Sequence, residues 1–327
     1  MEELYDITII GGGTTGLYSA FYSGMRDMKT KVMEYQTSVG GKVSFFYPEK
    51  RIYDVGGLPG ITGEDLVQNV TEQAESVDAT FVTGVKVASI EKREDGIFVL
   101  TTENGEKHFS KTVLVASGLG TFQMQPLKVK DRERYDGKQI HYTIQNLEQY
   151  RDQKVVVVSQ NRVGIDWSLA LEGIAEEVHI VNRSNEFKSV YEHDVEKLES
   201  SSVRIHKNQE IQELRGNGRM TGVVLRDDTV LDVDHILVYE GLQIDKSLYD
   251  EWGFETDKGR IPVATDMCAS LPGVFVAGDA AVYPSKTMLI ASGFNEAMAA
   301  VNSAAQYLDP KAKAQVYSTV IYKHKEE

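Results

Sequence analysis

The chain has 327 residues, with 35 Lys and Arg against 49 Asp and Glu, a formal charge of −14, and 41% hydrophobic residues. That balance predicts an ordinary globular protein and argues against non-specific binding of nucleic acid or an anionic membrane surface. A single cysteine, Cys268, excludes an intrachain disulfide, a redox dithiol and a zinc–thiolate site, and its setting reads as an inert apolar position.

The opening MEELYDITIIGGG carries no basic leader or small-residue cleavage site, and no stretch approaches 18 apolar residues. A cytoplasmic protein without a spanning helix is therefore expected. Leu4–Ile10 predicts a strand that runs into Gly11-Gly12-Gly13-Thr14-Thr15-Gly16. A helix over Leu17–Gly24 and a second strand over Lys29–Tyr35 follow, with Glu34 near the strand's end. In such a unit Gly11 permits the tight turn, Gly13 lets the backbone approach a pyrophosphate, and Gly16 allows close helix–strand packing. The helix N-terminus faces the phosphates. Glu34 lies 23 residues after Gly11, the spacing of a carboxylate that bonds a ribose diol and repels a 2′-phosphate. FAD and NAD both meet that test.

Phe81–Glu91, Gly96–Thr102 and Lys107–Phe109 read as a meander, and Lys111–Ala116 as a further strand ending at Ser117-Gly118. The pattern then recurs. Lys154–Val158 predicts a strand, Gly164–Gly173 a helix and Glu177–Val181 a second strand. Glu210–Leu214, Met220–Leu225 and Val230–Val233 form a second meander, and His235–Tyr239 a strand ending in Glu240-Gly241. Gly118 and Gly241 fall at equivalent points of a duplicated architecture. Gly273–Ala277 predicts one more strand, and Met288–Leu308 a long helix with a mostly core-facing pattern. The expected partition is 1–117 with 245–327 as one discontinuous domain and 118–244 as an inserted one, with hinges near 118–122 and 240–244.

With these motifs the chain resembles the thioredoxin-reductase-like ferredoxin–NADP reductases, homodimeric bacterial FAD enzymes of the two-dinucleotide-domain flavoprotein superfamily. The resemblance is carried by Gly11–Gly16, Gly40-Gly41-Lys42, Tyr47-Pro48-Glu49-Lys50 through Tyr53-Asp54-Val55, and Leu114–Gly118. It continues through Val276-Ala277-Gly278-Asp279, Leu289–Phe294 and Asp309-Pro310-Lys311-Ala312. It implies an α/β protein of two dinucleotide-binding, three-layer ββα domains. Gly11, Gly13 and Gly16 would hold the FAD pyrophosphate and Glu34 the adenosine ribose. Gly41 and Lys42 would run along the flavin side, and Asp279 would bond the ribityl chain or a phosphate-linked group. Thr14, Thr15, Val87, Ser117 and Gly118 complete the expected FAD set. Tyr53, beside Asp54, is the candidate to stack on the isoalloxazine, with Tyr47 a competitor in the same loop. Thr287 would bring the last helix toward the flavin. Asp279 as a plain helix cap and Tyr53 as an ordinary packed aromatic remain open.

The chain also departs from that family. Where the family carries GGGxSA, this chain has Ser159-Gln160-Asn161-Arg162-Val163-Gly164, and where the family has His-Arg-Arg it has Asn182-Arg183-Ser184. Side chains stand where a pyrophosphate needs bare backbone, and one arginine of the 2′-phosphate clamp is missing. From its side-chain chemistry Arg162 is expected to fill the vacated phosphate space and pair with a carboxylate, which would make the second domain self-occluding. The expectation is an FAD oxidoreductase whose NADPH binding is lost or weakened and whose electrons pass to a protein or small molecule. An altered but working ferredoxin–NAD(P) reductase and a non-catalytic FAD protein are the alternatives. Tyr317, before Ser318-Thr319, stands where the family places a histidine over the flavin of the partner subunit, with a plain dimer contact as the other reading.

A ferredoxin- or flavodoxin-like carrier is usually acidic, so docking needs a basic patch. Arg26, Lys29 and Lys31 form one candidate, and Lys311, Lys313, Lys323 and Lys325 another, with His324 part of a charged terminus. His141, His179, His193, His206 and His235 show no ligand spacing, so no metal site is expected.

Overall fold

Strand β1 (Leu4–Ile10) is buried along nearly its whole length, and such a run needs a parallel neighbour on each side. Those neighbours are β2 (Thr30–Glu34) and the C-terminal half of β6 (Lys107–Val115), with Ile9 in register with Val32 and Leu114. The structure is a computed structural model that describes residues 3–144, 146–245 and 248–321. It divides into two compact units, one of residues up to Phe122 and from Ile244 onward, the other Gln123–Gln243.

In the first unit β3 (Ala79–Thr83) extends the parallel sheet beyond β2, while β4 (Val87–Lys92) and β5 (Phe98–Thr102) form an antiparallel meander with β6. The expected single strand Phe81–Glu91 is therefore two strands. Gly84, at φ +72°, turns the chain out of the sheet, and its N–H bonds Gln36. Conversely, Lys107–Phe109 and Lys111–Ala116 are one strand. Its first half pairs with the meander and its second with β1 and with β15 (Val274–Val276), a change of partners that a period-two pattern does not register. Helix α1 (Thr14–Gly24), helix α3 (Gly63–Glu75) and the last long helix (Ile290–Leu308) bury Leu17, Leu66, Val70, Ala300 and Val301 against one face of the sheet. The sequence reading did not include α3. Its signal was Thr62, whose hydroxyl accepts from the Asp65 N–H ahead of an acidic first turn. A shorter helix, α2 (Gly41–Phe46), sits between.

The second unit repeats the plan. A parallel sheet runs in the order β7 (Ile140–His141), β14 (His235–Tyr239), β8 (Lys154–Ser159), β9 (Glu177–Asn182), β10 (Arg204–Lys207). Helices α4 (Arg162–Leu171) and α5 (Glu192–Glu199) belong to the core containing Ile165, Trp167, Leu171 and Leu198. The antiparallel meander β11 (Ile211–Asn217), β12 (Arg219–Leu225) and β13 (Val230–Asp232) contributes Met220, Val223 and Leu231 to the other. Each unit is thus a meander, a parallel sheet and a helical layer.

Two histidine pairs are set into the second sheet. His179 Nδ1 lies 2.8 Å from His206 Nε2, with Glu177 and Arg204 alongside, and His141 Nε2 lies 3.3 Å from His235 Nδ1. Burial lowers the pKa of all four, that of His179 from 6.5 to about 4. A histidine held neutral in the fold binds fewer protons than it does unfolded, so stability is full above pH 6.5 and falls as pH drops toward about 4. Hydrogen-exchange protection of β9 and β10 should therefore decline between those limits, and His179→Gln should flatten the decline.

Candidate functional site

At the C-terminal end of β1 the backbone must turn sharply, and Gly11 does so at φ +109°. A Cβ there would lie 2.6 Å from the Ala116 carbonyl oxygen, and one on Gly16 would lie 1.9 Å from that of Gly11. These two glycines are required by packing. Gly13 differs: a Cβ there would meet only Gly41, at 3.8 Å, so its bareness leaves space. It caps α1 without any side-chain hydrogen bond, so no side chain of its own covers the first-turn N–H groups. Across from it, Gly41 at φ +58° opens α2, and the Gly40 N–H bonds the Gly12 carbonyl at 2.7 Å.

Glu34 ends β2 almost fully buried, accepting from the Gly12 N–H at 2.5 Å and the Gln36 N–H at 2.7 Å. Burial pushes its carboxyl pKa up, against the opposing pull of the Gln36, Gly12 and Tyr35 N–H groups. Gly11, Gly13 and Glu34 line one cleft of about 180 Å³, together with Thr14, Thr15, Gly41, Lys42, Tyr47, Val87, Ser117, Gly118 and Asp279. Gly16 lies beneath it as a packing residue. Lys42 and Asp279 form an ion pair across the cleft. The Tyr47 phenol has a raised pKa, from burial first and then from Asp279 and Asp54.

The structure does not bring Tyr53, Asp54, Thr287 or Tyr317 to the cleft lining. Arg51–Ile52 pairs with Ile61–Thr62, and with Ile52 turned inward Tyr53 faces out, 72% exposed, beside Gly60. Asp54 is exposed next to it. Thr287 bonds Ser292 through its hydroxyl at 2.5 Å, while its neighbours Met288 and Leu289 line the cleft. Tyr317 is 58% exposed within its own subunit, ahead of the short helix Ser318–Ile321, and is bonded by the Gln315 amide.

The sequence reading missed the residues that hold the loop around Asp279. Glu296 is 1% exposed on helix α6 (Ile290–Leu308) and accepts from the Gly278 N–H at 2.8 Å, the Tyr283 hydroxyl at 2.6 Å and Lys286 Nζ at 2.5 Å. Lys286 also donates to the Gly278 carbonyl at 3.0 Å. The signal was available: Glu296 is the one charged residue in IASGFNEAMAAVNSAAQYL. Tyr249 was missed too. Its hydroxyl lies 2.9 Å from Ser117 Oγ and 3.0 Å from the Gly118 carbonyl, and burial first pushes its pKa up to about 12.

The second unit has the same positions with different occupants. Strand registers place Ser159 where the first unit has Gly11, Asn161 where it has Gly13, Gly164 where it has Gly16, and Glu240 where it has Ser117. Asn161 caps α4 with its own side chain, Oδ1 accepting from the Val163 N–H at 3.0 Å, while the Asn161 N–H donates to Ser159 Oγ at 3.2 Å. Arg162 Nε stands 3.5 Å from Asp194 and 3.8 Å from Asp166, with its guanidinium 5.5 Å from the Tyr191 ring. Arg183 pairs with Glu240 at 3.2 Å. With its amide oriented by its hydrogen bonds, Gln160 donates to Ser184 Oγ and accepts from Arg183. Asn182 donates to the Glu186 carbonyl and accepts from the Ser184 N–H.

Of the expected basic patches, Arg26 bonds Asn302 at 2.5 Å and the Lys313 carbonyl at 2.6 Å, Lys29 pairs with Glu3 at 2.9 Å, and Lys31 is buried against His108. Lys323, His324 and Lys325 lie outside the described residues. Among the described residues no group of three or more His, Cys, Asp or Glu could hold a metal ion, and no helix is long and apolar enough to cross a membrane.

The family model of pyridine nucleotide-disulphide oxidoreductases matches residues 5–306. Over 325 residues the chain is 44% identical to "Ferredoxin--NADP reductase 1" of Bacillus velezensis, covering 97% of this chain and 96% of that protein. It is 43% identical to the protein of that name from Listeria monocytogenes, covering 95% of each. Among solved structures it is similar to T. acidophilum thioredoxin reductase, with a TM-score of 0.70, 23% identity, and coverage of 95% of this chain and 100% of that one. That last likeness shows the fold alone.

Breaking a buried ion pair by removing one partner leaves the other charge uncompensated, at a cost of about 3–5 kcal/mol. Glu296→Ala should destabilise the first unit by that order in calorimetry and reduce the fraction of protein purified with bound cofactor. Lys42→Ala, which removes the more exposed partner of the other pair, should cost far less stability.

Proposed function

Because the chain belongs to the pyridine nucleotide-disulphide oxidoreductase family, with FAD as its implied cofactor, we propose that it is an oxidoreductase of the ferredoxin–NADP reductase type with lost or weakened NADPH binding. In this reading its flavin exchanges electrons with a protein or small-molecule partner, a ferredoxin- or flavodoxin-like carrier among them. The residues of the first unit fit FAD. A bare Gly13 at an α1 N-terminus without a side-chain cap suits a pyrophosphate, and buried Glu34 suits a ribose diol. Bound FAD would supply a ring able to take up a hydride and to release electrons singly. Lys42, Asp279 and Tyr47 would orient it, and the N-terminus of α6, capped by Leu289 with no side-chain bond, favours negative charge at its end of the cleft. The chain holds one cysteine, so no protein dithiol relays electrons from the flavin.

The observation that carries the weakened-nucleotide reading is the contrast between α1 and α4. The first helix N-terminus has no side-chain cap and the second is filled by Asn161, while the arginines nearby pair with Asp194 and Glu240. A second reading, a working ferredoxin–NAD(P) reductase with an altered nucleotide site, is favoured by the names of relatives 43–44% identical over nearly the whole chain. Outside the cleft, the exposed apolar side chains Tyr53, Leu58, Tyr317 and Val320 of the first unit support a homodimer contact.

Anaerobic mixing of the yellow protein with NADPH and with NADH decides between the readings. Flavin absorbance should persist with either nucleotide at micromolar concentration and bleach with dithionite or a reduced ferredoxin. Rapid bleaching by micromolar NADPH or NADH would overturn the weakened-site reading and favour the second one.

A further inference from the structure

In an open parallel sheet a ligand binds outside the C-terminal ends of the strands, at the point where strand order reverses. In the second unit that point lies between β8 and β14, because the chain proceeds from β8 to β9 on one side and returns to β14 on the other. The first residue beyond β14 is Glu240. Its side chain is 9% exposed, and its carboxylate lies 3.2 Å from the guanidinium of Arg183, the first residue beyond β9. The first unit has Ser117 and Tyr35 at these two places, and both line its cofactor cleft.

We infer that Glu240 acts as an internal anion in the second unit, occupying Arg183 so that the unit discriminates against a 2′-phosphorylated adenosine. This rests on the weakened-nucleotide reading and gives it a specificity-determining residue. An arginine at the end of the second strand is the group that accommodates a ribose 2′-phosphate. Here its Nη2 already lies against a carboxylate of this chain, and the Gln160 amide oxygen accepts from its Nε and Nη2. An incoming phosphate must displace Glu240, which has little solvent to turn into, and then share the crevice with an uncompensated negative charge. A nucleotide without the 2′-phosphate makes no claim on Arg183 and escapes that penalty. Glu240 therefore acts on the choice of nucleotide more than on the capacity of the fold to hold one.

The test titrates the FAD-loaded full chain with adenosine 2′,5′-bisphosphate and, separately, with adenosine 5′-monophosphate, by calorimetry at low salt. The unmodified chain should bind the bisphosphate weakly, and Glu240→Gln, which keeps shape and removes charge, should tighten it at least tenfold while leaving the monophosphate within about twofold. The gain should shrink with added salt and vanish in Glu240→Gln/Arg183→Gln. Arg183→Gln alone, in a chain that never frees this arginine, should change bisphosphate binding little, which keeps the inference open to refutation should Glu240→Gln fold poorly. A weakly binding parent whose affinity Glu240→Gln does not raise would overturn the inference and leave the weakened-site reading standing. So would equal gains for both probes, or a large loss on Arg183→Gln alone. Micromolar binding of the bisphosphate by the unmodified chain would instead overturn the reading itself.

Discussion

An α-helix that begins where a parallel strand ends carries backbone N–H groups that have no partner within the helix. Something must bond them, and the fold leaves three choices: solvent, a ligand, or the chain's own side chains. Both units contain this junction at the centre of their sheets, after β1 and after β8, with the following helix packed closely enough that only glycine fits at Gly16 and at Gly164. In the first unit no side chain is supplied at the cap, and a cleft forms around the junction. In the second unit Asn161 supplies one, and the surrounding charges pair among themselves. The same backbone geometry thus supports a receptive site in one unit and a self-satisfied one in the other.

The receptive site also needs a floor that does not move. Glu296 provides it by accepting from a backbone amide, a phenol and an ammonium group at once, all contributed by the segment Gly278–Lys286. A carboxylate so deeply buried is tolerated only because each of its partners is present. Helix α6, the loop of Asp279 and the cleft wall are coupled through this one side chain. Thr15 joins them to α1, since its hydroxyl lies against both Gly278 and Gly293.

The sheets were legible in the sequence because buried parallel strands are short, mostly apolar runs. Leu4–Ile10, Lys154–Ser159 and His235–Tyr239 follow that rule. The glycine turn and Glu34 were legible because their spacing is set by the length of one strand–helix–strand unit. Less legible was anything decided by tertiary partnering: the change of neighbours along Lys107–Val115, and the outward turn of Tyr53, which depends on the inward turn of Ile52. Glu296 illustrates a third case, in which composition flags a residue and only packing gives it a purpose. The pairing of Arg183 with Glu240 joins positions far apart in the chain, and no local pattern announces it.

Gly164 carries a consequence for the history and the engineering of this chain. A Cβ at that position would lie 2.1 Å from the Cβ of Ser159, so the second unit still holds its helix against its central strand at the distance a nucleotide unit requires. At the two junctions the side chains of Ser159, Asn161, Arg183 and Glu240 stand where the first unit has Gly11, Gly13, Tyr35 and Ser117. Substitutions at those four positions therefore change the cap and its neighbouring charges while leaving in place the Gly164 contact that seats the helix on its strand.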